Sequence, residues 1–334
     1  MAKAKSFPPR PVSDHFDGRR FFNPTLPGYG PPLRTVFRML REPRSLWPRP
    51  VANRGVPQLD AVLGTGDVAI TFINHATFLI QAGGVAILTD PVWSERVSPF
   101  RWAGPRRARP PGVAFDYLPD IDLVLLSHNH YDHLDLATLR KLRRAFAPAI
   151  LAAAGDARLI GQLGFRSLRE LDWWESVPFA DRLTITFVPA QHSSARGLFD
   201  RHRSLWGGYM IECAGHRIYF GGDSGYAAHF SDIRDRLGPP DIAMLPIGAY
   251  EPRWFMAPIH MNPDEAVRAH RDLGARHSIG MHFGTFQLTP EPIDRPQADL
   301  EAALAQAAVP RHEFITLHEG ETRIYRNGKG DGAA

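Results

Sequence analysis

The chain has 334 residues, 44% of them hydrophobic and 22% charged, with a formal net charge of +4. That is enough apolar material for one large or two ordinary domains in the range of soluble globular enzymes. The single cysteine, Cys213, excludes an intramolecular disulfide framework and Cys-rich zinc fingers, and sits in a strand-like run as a core thiol. No apolar stretch reaches the roughly 18 residues needed to span a bilayer. The first 20 residues carry Lys3, Lys5, Arg10, Arg19 and Arg20 without an apolar run, so no secretory signal is expected. The expected location is cytoplasmic, with peripheral membrane contact.

Residues 1–60 hold 11 of the 39 Lys and Arg, 4 of the 35 Asp and Glu, and 11 of the 30 prolines. The basic character therefore belongs to an N-terminal arm, and the body is slightly acidic. Repeated prolines favour extended and turn conformations; only 33–41, with Phe37, Met39 and Leu40 apolar and Arg34, Arg38 and Arg41 basic, reads as a short amphipathic helix. Such an arm either wraps over the body with its charges in water or docks on an anionic membrane.

Strand signals begin at Val68-Ala69-Ile70-Thr71-Phe72-Ile73, continue at 77–80, and resume at 85–89 after Gly83-Gly84. An insertion rich in Pro, Arg and aromatic residues fills 92–112. Further expectations are a strand at 121–126, a helix at 134–146, a strand at 148–153 and a helix at 156–163. A strand at 183–188 precedes a hairpin of 209–213 with 216–220. A strand at 242–246, a helix at 263–273 with Asn262 as N-cap, a strand at 277–281, a helix at 297–307 and a closing hairpin at 314–325 complete the body. No internal repeat is visible. Strands with interspersed helices predict a four-layer α/β sandwich, divided as a basic arm over 1–60, a catalytic domain over 61–325 and a flexible tail over 326–334.

The chemistry concentrates in Ser127-His128-Asn129-His130-Tyr131-Asp132-His133-Leu134-Asp135, at the end of an apolar strand. Alternate side chains of an extended stretch point the same way, so His128 and His130 can grip one ion while Asp132 and His133 turn toward a second. Imidazole and carboxylate are ligands that Zn²⁺ and similar first-row metals prefer. Three more candidates end strands: His192, Asp223 and His282. Asp223 follows Gly221-Gly222, read as glycines that admit an ion close to the backbone. Gly222-Asp223-Ser224-Gly225 mimics a serine-nucleophile motif but lacks a triad context. Gly64-Thr65-Gly66 precedes its strand, so a dinucleotide loop is discarded.

The order His-x-His-x-Asp-His, then single His, Asp and His residues, resembles the metallo-β-lactamase-fold hydrolases. More narrowly, Asn74-His75-Ala76-Thr77, Leu88-Thr89-Asp90-Pro91, Leu171-Asp172-Trp173-Trp174-Glu175, Gly222-Asp223-Ser224-Gly225-Tyr226, the stretch 245–256 and His282-Phe283-Gly284-Thr285-Phe286 resemble N-acyl-phosphatidylethanolamine-hydrolysing phospholipases D. The likeness runs from about residue 22 to 323. Ser193-Ser194 departs from the vertebrate members, which carry an aromatic residue after this histidine, and implies a different pocket wall.

The resemblance implies an αββα sandwich, a homodimer and two Zn²⁺ ions. One ion would be held by His128, His130 and His192, the other by Asp132, His133 and His282, with Asp223 bridging. Two metals about 3.5–4 Å apart can hold a hydroxide for attack on a phosphodiester. Asp132, Asp223 and His260 are the expected catalytic residues, His260 as phosphate ligand or general acid. His75, Asp90 and Asp135 are expected to touch substrate or to orient ligand rings. The leading expectation is release of N-acylethanolamine and phosphatidate from a phospholipid. The alternatives are hydrolysis of a soluble lactone, thioester or phosphodiester on the same fold, and a binding module without turnover. The slightly acidic body makes nucleic acid an unexpected partner.

Overall fold

The computed structural model describes residues 10–26, 30–197 and 199–326. Lys3, Lys5 and all of the 326–334 tail except Arg326 lie outside the described residues. The arm carries helix α1 (Leu33–Leu40) and then runs irregularly over the body. Trp47 Nε1 donates to the Glu291 carbonyl and the Val51 amide to that of Ala108.

Strands β1 (Val68–Asn74), β2 (Thr77–Ala82), β3 (Val85–Thr89), β4 (Leu123–Leu126), β5 (Ala149–Ala153) and β6 (Leu168–Leu171) lie side by side in one sheet. Strands β7 (Ser176–Phe179), β8 (Leu183–Val188), β9 (Gly208–Cys213), β10 (His216–Phe220), β11 (Ile242–Pro246), β12 (His277–Met281) and β13 (Phe314–Thr316) form the second. The last strand, β14 (Thr322–Tyr325), crosses back to pair with β1. The expected hairpin at 314–325 is therefore corrected: β13 pairs with β12, so these strands close different sheets. Strands β6 and β7 escaped the sequence reading because both are edge strands, one carrying Arg169 and Glu170 and the other Pro178. Polar residues and proline are characteristic of edges.

Alternation along the strands builds two cores. On β4, Leu123 and Leu125 face the second sheet, while Val124 and Leu126 face outward under helices α2 (Leu136–Ala145) and α3 (Ala157–Gly161). Burial on both faces makes β4 a continuous apolar run. Helices α4 (His229–Leu237), α6 (Pro263–Leu273) and α7 (Arg295–Ala307) pack on the second sheet through Phe230, Val267 and Leu304. The result is a four-layer αββα sandwich. A short helix, α5 (Arg253–Met256), stands between β11 and α6.

The two halves share a plan absent from the sequence reading. From β1 to β6, and again from β8 to β13, two antiparallel pairings are followed by three parallel ones. Tyr209, fully buried on β9, ties them together: its hydroxyl reaches the carbonyls of Leu126, 2.9 Å away, and Leu151, 3.1 Å away, across the sandwich. Tyr209→Phe removes this donor between the sheets, and is expected to lower unfolding free energy by about 0.5–1.5 kcal/mol in a denaturant titration. An unchanged midpoint would show that the bond contributes nothing net.

Candidate metal centre

The polar residues singled out in the sequence collect at one end of the sandwich. Strand β4 stops at Leu126, two residues short of His128, so the His-rich run is a loop and not an extension of the strand. It closes as a turn in which the amides of His133 and Leu134 both donate to the His130 carbonyl. His192 follows β8, Asp223 follows β10, His282 follows β12, Asp90 follows β3, and His75 lies in the β1–β2 turn. Sites in α/β sheets form at such carboxyl ends.

His75, Asp90 and His282 adopt left-handed backbone conformations, at φ 51°, 33° and 65°. Non-glycine residues hold such conformations only when their surroundings over-determine them. Gly222, at φ 58°, needs its glycine for a different reason from the one read in the sequence: a Cβ there would stand 2.7 Å from Ser127 Cβ and 2.8 Å from the Gly207 carbonyl. The close approach is to the loop carrying His128.

Two donor groups emerge. His130 Nδ1 lies 2.9 Å from His128 Nε2 and 3.2 Å from His192 Nε2. Asp132 Oδ2 lies 3.0 Å from His75 Nε2, 3.4 Å from His282 Nε2 and 3.5 Å from His133 Nε2. Asp223 stands between the groups: its Oδ2 is 3.1 Å from Nε2 of both His133 and His282, 3.8 Å from that of His192 and 4.0 Å from that of His128. His133 Nε2, His282 Nε2 and Asp223 Oδ1 are buried without a hydrogen-bond partner. Buried polar atoms left unpaired are costly, and imidazole nitrogens and carboxylate oxygens converging in this way fit divalent cations.

The far side of several rings is fixed. Asp90 Oδ2 lies 2.7 Å from His133 Nδ1, and its carboxylate also takes the amide and hydroxyl of Ser127, whose Oγ is 2.9 Å from His128 Nδ1. His192 Nδ1 faces the Ile259 carbonyl at 2.9 Å. These contacts aim the Nε2 atoms at the centre. Asp135 departs from its expected role. Its carboxylate accepts from the amides of Ala137 and Ser94 and from the Thr138 hydroxyl, capping α2 instead of orienting a ring.

Burial pushes His128 and His192 well below the usual imidazole range and lowers His130, so this trio is neutral. Burial acts on His133 and His282 too, but Asp223 and Asp132 outweigh it, holding His133 well above that range and His282 at about 9. Against the cost of their own burial, Asp132 and Asp223 are held well below the carboxylate range by those same histidines. Burial and the neighbouring His282 take His75 down to about 3, and burial raises Asp90.

His260 sits at the edge of the centre, its Nδ1 4.0 Å from Asp223 Oδ2 and without a hydrogen-bond partner. Burial pushes its pKa down to about 3. The expectation of a histidine titrating near neutrality is thus corrected: at neutral pH this ring is uncharged and can donate only from a neutral N–H. Sequence reasoning missed Arg196, whose guanidinium donates to the carbonyls of Asn129 and Leu134 and covers the Tyr131 ring, bracing the His-rich loop. Nothing in the spacing around position 196 signals it.

A cavity of about 660 Å³ opens beside this loop, lined by Tyr131, Arg196, Arg96, Phe100, Arg101 and Lys141 among others. Phe100 and Trp102, at the tip of the insertion, are 53% and 79% exposed. Among the described residues, no helix is long and apolar enough to cross a membrane.

The sequence profile of the beta-lactamase superfamily domain matches residues 86–283. The chain is 41% identical over 263 residues to N-acyl-phosphatidylethanolamine-hydrolyzing phospholipase D 1 of Caenorhabditis elegans, an alignment covering 75% of this chain and 74% of the nematode protein. It is 31% identical over 234 residues to a metal-dependent hydrolase of Solibacter usitatus, covering 67% of this chain and 89% of that one. In fold it is similar to isothiocyanate hydrolase from Delia radicum gut bacteria, with a TM-score of 0.62 at 24% identity over 76% of this chain and 98% of that one. The chain therefore belongs to the metallo-β-lactamase superfamily, in the family of the nematode enzyme, and is a hydrolase that works with a divalent metal.

Proposed function

We propose that the chain is a zinc-dependent phosphodiesterase of phospholipase D type, hydrolysing N-acyl-phosphatidylethanolamine-like phospholipids to N-acylethanolamine and phosphatidate. The observation that carries this reading is the position of Asp223 between two donor groups. His128, His130 and His192 would hold one Zn²⁺, Asp132, His133 and His282 the other, and Asp223 both. When bound, such a pair supplies Lewis acidity toward a phosphoryl oxygen and lowers the pKa of water.

The chain's own residues then orient the reaction. Asp90, Ser127 and the Ile259 carbonyl keep His133, His128 and His192 aimed inward. His260, neutral and unpartnered, donates to a phosphoryl oxygen. His75 holds Asp132 through its Nε2. Water's oxygen ends on phosphorus, the bond from phosphorus to the ethanolamine oxygen breaks, and that oxygen takes the proton. Phe100 and Trp102 rest in the lipid interface while Arg96 and Arg101 meet anionic headgroups. The nematode relative, named for the same reaction, supports this substrate class.

Mass spectrometry after adding zinc-loaded protein to N-acyl-phosphatidylethanolamine micelles is expected to show equal N-acylethanolamine and phosphatidate, with turnover down by orders of magnitude in Asp223→Asn. Absence of lipid products from a fully metallated protein would leave the soluble lactone, thioester or phosphodiester reading. His260→Ala is expected to cut kcat by about 10²–10³-fold, as for loss of one preorganised donor, with metal content unchanged; loss of metal would make His260 a ligand instead. The double change Phe100→Ser with Trp102→Ser is expected to weaken sedimentation with anionic vesicles about tenfold or more, and unaltered sedimentation would remove the insertion from the membrane contact.

A further inference from the structure

The N-terminal arm reaches the centre. Asn23, only 2% exposed, grips both backbone groups of His192: its Nδ2 donates to the carbonyl at 2.8 Å, and its Oδ1 accepts the amide at 3.2 Å. The same Oδ1 accepts from Trp206 Nε1 at 3.0 Å. Strand β8 ends at Val188, so His192 lies four residues into a loop that regular pairing does not hold. With the ring turned by the Ile259 carbonyl and the backbone held by Asn23, His192 is fixed at three points.

The bracing extends beyond one ligand. Thr25 donates to Gln191 Oε1 at 2.7 Å, and Gln191 Nε2 donates to the Pro258 carbonyl beside His260. The Gln191 amide donates to Ser224 Oγ, and its carbonyl accepts from the Gly225 amide, one and two residues beyond Asp223. The arm has anchors of its own on the body. Arg10 pairs with Asp172 at 3.0 Å and Glu170 at 3.5 Å, His15 Nε2 meets Asp172 at 2.7 Å, and Phe21 is buried with its amide on the His202 carbonyl.

We infer that the arm is a working part of the metal centre: Asn23 is a positioning residue that sets His192, and the docked arm tightens the ion held by His128, His130 and His192. This rests on the ligand assignment proposed above. Metal sites tolerate little displacement of a donor, and loss of a group that orients a ligand typically weakens metal affinity about 10–100-fold. A merely structural Asn23 would change unfolding and leave the affinity of the folded protein alone.

The test is a chelator titration of the full-length, zinc-loaded protein, reading zinc per chain, with His192→Ala as reference. Asn23→Ala is expected to release one ion at about 10–100-fold lower chelator while keeping the other, and added Zn²⁺ is expected to restore it. Thr25→Val, at an exposed position, is expected to loosen the same ion more weakly, and serves if Asn23→Ala does not fold. Wild-type retention in the folded Asn23 and Thr25 variants would overturn the inference. Retention of both ions by His192→Ala would instead overturn the ligand assignment, and the inference with it.

Discussion

The Asp223 carboxylate, 3% exposed and within 4.0 Å of five imidazole nitrogens, sits where water cannot meet its charge, so its neighbours must. A buried unpaired charge costs several kcal/mol, and removing one partner of a buried set leaves the others stranded. That requirement explains the arrangement around it. His133 and His282 stay charged although buried because Asp223 and Asp132 face them, and Asp90 takes the outer nitrogen of His133. Cations at the same place answer the same need, and a site that otherwise collects protons on two histidines is poised to exchange them for metal. The strained backbones of His75, Asp90 and His282, each costing about 1–3 kcal/mol, persist because the packed strand ends leave those residues nowhere else to go.

How legible this was depended on how local each signal is. The run from His128 to His133 carries four donors in six positions, so its chemistry shows without the fold. His192, Asp223 and His282 were readable because each ends a strongly apolar strand. Asp90 was within reach for the same reason, whereas Asp135 looked identical on paper and turned out to cap a helix. A carboxylate one residue before a helix has two uses that spacing alone does not separate. Arg196, Asn23 and Tyr209 act through long-range contacts, from residue types that are ordinary where they stand. Strands β6 and β7 were hidden because an edge strand needs no continuous apolar run, and the 314–325 hairpin was misread because adjacency in sequence hid a crossing between sheets.

The arm illustrates the limit of compositional reasoning. Its prolines and arginines describe a segment that cannot build a core, and much of 30–60 does lie on the surface. Yet single residues of 10–26 behave as part of the body: His15 and Asn23 are as buried as core residues, and Phe21 belongs to the main hydrophobic cluster. Proline limits helix, not docking. An extended segment offers backbone and short polar side chains at close range, which is what a loop such as 190–194 needs to satisfy its buried amides and carbonyls.

The repeated topology gives these observations a common origin. The first half supplies His75, Asp90 and the His128–His133 run, and the second supplies His192, Asp223, His260 and His282. Neither donor group is complete within one half: His192 crosses to His128 and His130, and His282 crosses to Asp132 and His133. The centre is therefore a seam, and the contacts that hold the seam are the ones that hold the site. Tyr209 ties β9 to β4 and β5 just before the His-rich loop, Gly222 lets the Asp223 loop lie against Ser127, and β14 returns from the second half to pair with β1. A cation placed between the halves pulls on both, so stability of the sandwich and occupancy of the site are one equilibrium seen from two sides. The geometry of this cluster is a consequence of how the two halves close, which is why contacts made far along the chain, those of the arm among them, bear on it.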